Sequence, residues 1–144
     1  MFHSTRVVLV LLPLALFAAA CGDDPGNGGN LPTTPTPPSL TTENFEGTVT
    51  VNGAITHPFL VTAPSTLTAT LVALADGTEG VTIGMSLGTW NGEYCQIVLA
   101  NDTAIQGKFI VGVAQTAGAF CLRVADATGQ LTKPAPYQIT VTHQ

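Results

Sequence analysis

The residues with the clearest chemical potential in this sequence are three cysteines, Cys21, Cys95 and Cys121. A thiol can be acylated, can pair in a disulfide, or can bind a metal as a thiolate. Cys21 follows three alanines at the end of an apolar run, whereas Cys95 and Cys121 lie among alternating apolar residues much later in the chain. These different surroundings indicate that the three thiols do not share one role.

The segment before Cys21 is typical of an export signal. Arg6 precedes an apolar stretch of about fifteen residues, which is shorter than the roughly 20 that a membrane-spanning helix needs. A signal-peptide core of about 7–15 apolar residues followed by small residues fits this stretch. We therefore predict that residues 1–20 are a signal peptide and that the mature chain lies outside the cytoplasm.

The motif Ala18-Ala19-Ala20-Cys21 resembles a bacterial lipobox. That resemblance implies that the Cys21 thiol is acylated and becomes the mature N-terminus, so that acyl chains such as palmitate anchor the protein to a membrane. Ordinary cleavage after Ala20 is the alternative, because Ala18 and Ala20 also satisfy the small-x-small rule. Lipidation accounts for the odd cysteine. Since Gly22 follows the cysteine, the resemblance implies the outer membrane where the cell has one.

Cys95 and Cys121 are predicted to form a disulfide, because disulfides persist in oxidising compartments. Two buried free thiols, or a metal site without other ligands, are the alternatives. A closed loop of about 26 residues contributes roughly 3–4 kcal/mol by the chain-entropy estimate. Strand alternation places Cys95 in phase with core-facing neighbours and Cys121 out of phase with its own. A bulge or an edge position must therefore bring the two thiols together.

The catalytic and metal-binding motifs in the chain are weak. Gly84–Gly88 matches the Gly-x-Ser-x-Gly nucleophile pattern, but Ser86 lies within an alternating strand and no helix follows, as a serine hydrolase requires. His57 and His143 have no partners at metal-ligand spacing and are expected to be solvated. The acidic residues are scattered, with no Asp-x-Asp-x-Asp loop for calcium. We predict no catalytic residues, no metal and no cofactor.

Trp90 is the only tryptophan and lies at the end of a predicted hairpin. An exposed aromatic ring at that place can stack on a sugar, or it can pack over the end of the domain. The net charge of −5 argues against a nucleic-acid partner, because phosphates need a basic surface. A polysaccharide or an envelope protein remains as a partner, besides the membrane itself.

Composition divides the mature chain in two. Residues 21–42 contain the lipidated cysteine and a linker rich in proline, threonine and glycine, which excludes helix and central strand and predicts disorder. Residues 43–144 are long enough for one domain with its own core. Charged residues make up only 9% of the chain, so charge repulsion does not keep this domain unfolded.

Apolar and polar residues alternate with a period of two through most of residues 43–144, which predicts strands with one buried face. The eight predicted strands are Asn44–Val51, Pro58–Val61, Ser65–Ala73, Val81–Leu87, Glu93–Ala100, Lys108–Ala114, Ala119–Ala125 and Tyr137–Thr142. Turn signals separate them, among them Asn52-Gly53, Asp76-Gly77 and Asn101-Asp102. Many short strands at this spacing predict an all-β fold, a sandwich or a barrel.

The turn at Asn91-Gly92 allows a prediction of register. A two-residue loop would place Leu87 opposite Gln96, with the apolar faces mismatched. A three-residue loop, Trp90-Asn91-Gly92, would place Leu87 opposite Cys95 and match the two faces. Because a one-residue slip moves every side chain to the other face, we predict the second register.

Residues 44–142 resemble the bacterial pre-peptidase C-terminal domain family. The matching segments are Phe45-Glu46-Gly47, Leu67–Leu71, Ala117–Val124 and the closing Pro136–Thr142. The resemblance implies an antiparallel, jelly-roll-like β-sandwich that is accessory to secreted peptidases, although this chain contains no peptidase domain. Some family members bind calcium through clustered acids, which this sequence lacks.

The sequence thus predicts a non-catalytic, lipid-anchored β-sandwich of the bacterial cell envelope with a binding or structural role. A carbohydrate- or calcium-binding accessory module is the alternative, and a hydrolase is a third, less favoured reading. Exposed aromatics and amides around Trp90 would favour the sugar-binding module. A polar pocket that joins His57 or His143 to acids would favour an enzyme.

Overall fold

The computed structural model of the chain describes residues 39–74 and 80–144. The predicted signal peptide, Cys21, nearly all of the predicted linker and the predicted turn at Asp76-Gly77 lie outside the described residues. Within the described ranges, no helix is long and apolar enough to cross a membrane. The chain divides into two units, and the second, Thr36–Gln144, contains the β domain described below.

Eight β-strands form this domain, as the alternation predicts. They are β1 (Thr41–Val49), β2 (Ala54–Val61), β3 (Ser65–Leu74), β4 (Ile83–Trp90), β5 (Cys95–Ala104), β6 (Phe109–Ala114), β7 (Gly118–Ala125) and β8 (Ala135–His143). The predicted turn at Asn101-Asp102 is wrong, because β5 continues through both residues. The chain instead turns at residues 105–108, where Gly107 has a positive φ of 83° and Lys108 N–H donates to Ile105 O.

The strands form two antiparallel sheets packed face to face. Sheet A has the order β1-β8-β3-β6 and sheet B the order β2-β7-β4-β5. Every connection between consecutive strands in the described order passes from one sheet to the other, except the hairpin from β4 to β5. The domain is therefore a β-sandwich with the eight-stranded order of a jelly roll, which confirms the predicted fold.

The core lies between the inner faces of the two sheets. Tyr137, Ile139 and Val141 of β8 face inward and are buried, and the residues between them face outward. The largest fully buried side chains are Leu71, Ile83, Met85, Leu122, Ile139, Val49, Val124 and Val141, with Cys121. Burial of such side chains contributes about 1.5–3 kcal/mol each, so these alternating positions supply the main stabilisation.

The predicted register between β4 and β5 is wrong. Trp90 pairs with Cys95, because the hairpin loop has four residues, 91–94, rather than three, and Leu87 pairs with Leu99 after a shift of one residue in β5. Asn91 Oδ1 accepts hydrogen bonds from the N–H groups of Glu93 and Tyr94 and so fixes this longer loop. A β-bulge at Val98 then restores the match of apolar faces that the shorter loop was predicted to give.

Asp126 organises the end of the sandwich away from Thr41. Its carboxylate accepts hydrogen bonds from Asn52 N–H at 2.9 Å and from Gln130 N–H at 2.9 Å. These bonds, that from Asn52 most strongly, lower the pKa of Asp126. Asp126 is one of the acidic residues scattered along the sequence, but its Asp-x-x-Gly spacing to Gly129, which has a φ of 66°, is a turn signal.

Candidate binding surface

The sandwich has two sides where edge strands of the two sheets face each other. On one side β1 of sheet A lies beside β2 of sheet B, and on the other β6 lies beside β5. We call them the β1–β2 side and the β5–β6 side. The functional candidates of this chain are best judged by how each side is closed.

Aromatic rings close the β1–β2 side. Phe45 of β1 stacks on His57 of β2 with ring centroids 5.0 Å apart, and Phe59 lies 6.1 Å from Phe45. Phe59 also stacks on His143 at 5.8 Å and on Phe120 at 6.2 Å. These rings fill the space between the two sheets and leave this side packed.

A partly buried hydrogen bond joins the two sheets within this aromatic cluster. His57 Nε2 lies 2.7 Å from Tyr137 Oη. Burial raises the pKa of Tyr137 to about 12 and lowers the pKa of His57. Both groups are therefore neutral at pH 7, so this hydrogen bond joins a neutral imidazole to a neutral phenol. Gly47 makes room for the phenol, since a Cβ at that position would lie 2.7 Å from Tyr137 Oη.

The expectation that both histidines are solvated is wrong. His143 is 4% exposed, and its Nε2 lies 3.0 Å from Glu43 Oε1. His57 is half-buried against Phe45 and Tyr137. The signal was in the sequence, because His57 is in phase with the core residues Phe59 and Val61. His57 lies in packed aromatic surroundings, whereas His143 also lines a shallow pocket of about 210 Å³. The other residues that line this pocket are Leu40, Thr66, Thr68, Thr142 and Gln144, none of which is acidic.

The β5–β6 side is open. A cleft of about 110 Å³ lies between the sheets there. Leu67, Leu87 and Phe120 are among its lining residues, together with the exposed residues Val98 of β5 and Val113 of β6. Gly112 faces into the cleft, and a Cβ at that position would meet only Leu87 Cδ1, at an ordinary 3.6 Å. No steric need for glycine exists here, so its missing side chain leaves the cleft unfilled.

Exposed apolar side chains are frequent on β5, on β6 and in the loops that flank them. Val98 is 78% exposed, Val113 71% and Phe109 60%. The exposed large apolar residues between Tyr94 and Val113 are Tyr94, Ile97, Val98, Ile105, Phe109, Val111 and Val113. Of these, Val98 and Val113 line the cleft, whereas the alternation of β6 places Phe109 and Val111 on the outer face of sheet A.

The disulfide predicted between Cys95 and Cys121 is present, with Cα atoms 5.8 Å apart. It joins β5 to β7 across the intervening strand β4, and Gly88 lies opposite Cys121. A Cβ at Gly88 would lie 2.7 Å from the carbonyl carbon of Gln96. Because Gly88 has no side chain, the start of the bulged edge strand β5 can pass over β4, which resolves the mismatch of phase in the sequence.

The remaining predicted site residues are placed as follows. Ser86 is buried within β4 on the face opposite Met85 and Leu87, and β4 continues through Gly88 to Trp90. Trp90 is half-buried at the end of β4, beside the exposed Tyr94 of the same hairpin. Within residues 39–74 and 80–144, no three His, Cys, Asp or Glu side chains are grouped to hold a metal ion. A role of Trp90 in sugar stacking stays a prediction.

Comparison with known proteins adds a structural likeness. No family model and no curated protein matches the chain. The crystal structure of Aeromonas hydrophila PliG, a periplasmic inhibitor of g-type lysozyme, superposes with a TM-score of 0.50 and 14% identity over 72% of this chain and 86% of that one. A disulfide-linked pilus protein of Bacillus endospore appendages gives a TM-score of 0.38 and 7% identity, over 73% and 84%.

The likeness to the lysozyme inhibitor lies in the fold. It agrees with the two-sheet, all-β architecture derived from the strand pattern. The resemblance to pre-peptidase C-terminal domains stays a prediction from the sequence segments that carry it. Function must therefore be argued from the surface of this chain.

Proposed function

We propose that this protein is a non-catalytic binding module of the bacterial cell envelope, held to a membrane by lipid on Cys21. Its binding surface is the β5–β6 side, and its ligand is a protein. The observation that carries this proposal is the open apolar cleft, which the exposed Val98 and Val113 line, together with the exposed Phe109 on the same strand as Val113. Moving apolar surface of this kind from water to contact with a partner protein is favourable in free energy.

The chemistry of the surface favours a protein over a sugar. Polysaccharide sites combine several exposed aromatic rings with free polar groups, but at this hairpin Tyr94 is exposed while Trp90 is half-buried. The nearby Asn91 side chain already accepts two backbone hydrogen bonds. Around the cleft, by contrast, Val98, Val113 and Phe109 present branched or flat apolar groups that suit an apolar protein surface.

Two further observations support the location. The Cys95–Cys121 disulfide fits an oxidising compartment such as the periplasm or cell surface. The neighbour in fold is a periplasmic protein whose named activity is inhibition of a lysozyme, which is a precedent for protein binding by this architecture. The predicted export signal and the lipobox-like motif at Cys21 support the proposed attachment to a membrane.

The binding surface is tested by site-specific photo-cross-linking of the full-length protein in its own membrane. In one variant a photoreactive residue replaces Val98 on the β5–β6 side. In the matched control variant the same photoreactive residue replaces Leu60, which is 69% exposed on β2. We expect protein adducts from position 98 and none from position 60. Equal labelling from both positions, or none from position 98, would contradict the assignment of the surface.

The anchor is tested separately by Cys21→Ser. The variant should leave the membrane fraction or accumulate as unprocessed precursor, whereas the wild-type protein should carry acyl mass on Cys21. An unmodified thiol on the mature wild-type chain, seen by intact-mass measurement, would disprove lipidation without affecting the binding surface.

A further inference from the structure

We propose that the partner at the β5–β6 side is a second copy of this chain, joined through antiparallel pairing of β6 with the β6 of its twin. The inference rests on the proposed function, because it names the protein bound at that surface. The pairing would extend sheet A into an eight-stranded sheet across a two-fold axis.

The first step is that β6 alone among the four edge strands lacks a device against pairing. Proteins protect edge strands with inward-pointing charges, proline and bulges. β1 carries Glu43, which bonds the buried His143; β2 carries Pro58 at its centre; and β5 is bulged at Val98. β6 (Phe109–Ala114) is regular, and it contains neither proline nor charge.

Half of the backbone N–H and C=O groups of β6 have no partner on β3. Leu71 of β3 donates its N–H to Lys108 O and accepts from Gly107 N–H. Because bonded pairs alternate along an antiparallel ladder, Ile110, Gly112 and Ala114 bond to β3 in the observed register. The N–H and C=O groups of Phe109, Val111 and Val113 therefore point away from β3, toward the open edge.

The third step is that these free groups are self-complementary. When Val111 lies on a two-fold axis, Val111 pairs with its twin and Phe109 pairs with Val113 of the second copy. The three residues then exchange six backbone hydrogen bonds. Their side chains all lie on the outer face of sheet A, so each exposed Phe109 packs against an exposed valine, a favourable cross-strand pair.

The charge distribution of the chain does not oppose this pairing. The chain has a net charge of −5 at pH 7, but residues 109–122 contain no charged side chain. Lys108 would lie opposite Ala114 of the second copy, so the pairing brings no like charges into contact. A strand that is uncharged and matches its own sequence about Val111 is suited to an isologous interface.

The pairing is tested by disulfide trapping in the full-length protein in membranes. Bonded antiparallel pairs have Cα atoms about 5.5 Å apart, within the range of about 4.4–6.8 Å for a disulfide. Val111→Cys should therefore form a covalent homodimer under mild oxidation, and the equally engineered control Leu60→Cys should not. Phe109→Cys should cross-link with co-expressed Val113→Cys more readily than with itself.

A second variant series tests the interface without added thiols. Val111→Lys places two like charges on the axis and should weaken dimerisation on the order of 100-fold or more. Val111→Thr, which keeps the strand geometry, should retain the dimer within a few-fold. Sedimentation of the full-length protein in detergent gives the oligomeric state, and circular dichroism confirms that both variants stay folded.

The outcomes separate the inference from the function it rests on. If the wild-type protein is monomeric and the Val111→Cys variant forms no covalent homodimer, the proposal that the partner is a second copy of this chain is wrong. If position 111 instead cross-links to a different protein, the inference is wrong and the β5–β6 side still binds a partner. If positions 98 and 111 both label nothing, the inference and the proposed function both fail.

Discussion

The two sides of this sandwich differ in how their edge strands are held and in whether the gap between the sheets is filled. On the β1–β2 side, Phe45, His57 and Phe59 fill the gap between the sheets. On the β5–β6 side the gap stays open as a cleft, and a covalent bond from Cys95 to Cys121 holds the edge strand β5. One side is held by packing and the other by a cross-link.

This difference decides which side of the domain can bind a ligand. Packing requires that rings occupy the space between the sheets, which leaves no room for a ligand. A disulfide lies on the outside of sheet B and holds β5 without filling the cleft. The β5–β6 side can therefore be both secured and available to a partner, which the β1–β2 side cannot.

The largest expected contrast is between two phenylalanines. Phe59→Ala removes the buried ring that contacts Phe45, Phe120 and His143, and should lower the free energy of unfolding by about 3–5 kcal/mol. Phe109→Ala on the exposed surface of β6 should change the free energy of unfolding of the monomer by about 0.5 kcal/mol or less. Urea unfolding measures both, and similar losses from the two variants would show that the β1–β2 side is not the better packed one.

The cross-link of the β5–β6 side should come next in size. Cys95→Ala combined with Cys121→Ala frees a loop of 26 residues, which corresponds to about 3–4 kcal/mol by the chain-entropy estimate. We expect the melting temperature to fall by roughly 10–25 °C, while labelling from position 98 of the folded protein persists. Free reaction of both native thiols with a maleimide would instead show that no structural disulfide forms.

Substitution of two glycines that face the space between the sheets, one on each side of the sandwich, should change stability by smaller amounts. Gly47→Ala places a Cβ 2.7 Å from Tyr137 Oη and should cost about 1–3 kcal/mol by overpacking. Gly112→Ala meets Leu87 Cδ1 at 3.6 Å and should gain up to about 1 kcal/mol, because alanine loses less backbone entropy in a strand. Thermal unfolding compares them, and a stabilising Gly47→Ala would contradict the close fit around Tyr137.

The smallest effect is one of pH. Burial lowers the pKa of His57 in the folded protein, so protonation favours the unfolded chain. Stability from this group is present above the ordinary histidine pKa of about 6.5 and is lost as the pH falls through the lower folded value. Hydrogen exchange should show β1 and β2 loosening on acidification while β6 stays unchanged. His57→Gln should flatten this dependence; an unaltered profile would exclude His57 as its source.

The strand pattern was predictable from sequence because each strand repeats its signal locally. Leu67, Ala69 and Leu71 face the core at every second position, and no distant residue is needed to see it. The same alternation places His143 inside, yet the chemistry of imidazole led to the opposite expectation. Phase along a strand proved a better guide to burial than residue type.

The features that failed or escaped prediction depend on contacts between distant residues. The β4–β5 register follows from a four-residue loop fixed by Asn91 and a bulge at Val98, and alternation records neither. Similarly, nothing in residues 109–114 says that β6 lies at an edge. That position is decided by the strand order of the whole sheet, so the candidate surface became visible only with the fold.

The nine consecutive pairs between β1 and β8, from Thr41–His143 to Val49–Ala135, have a mechanical consequence. A force that is applied at Thr41 and directed along β1 loads the whole ladder in shear. Its hydrogen bonds then resist together instead of opening one after another from the end. A domain held at its far edge, at β6, would thus withstand a pull along β1 better than a pull across it.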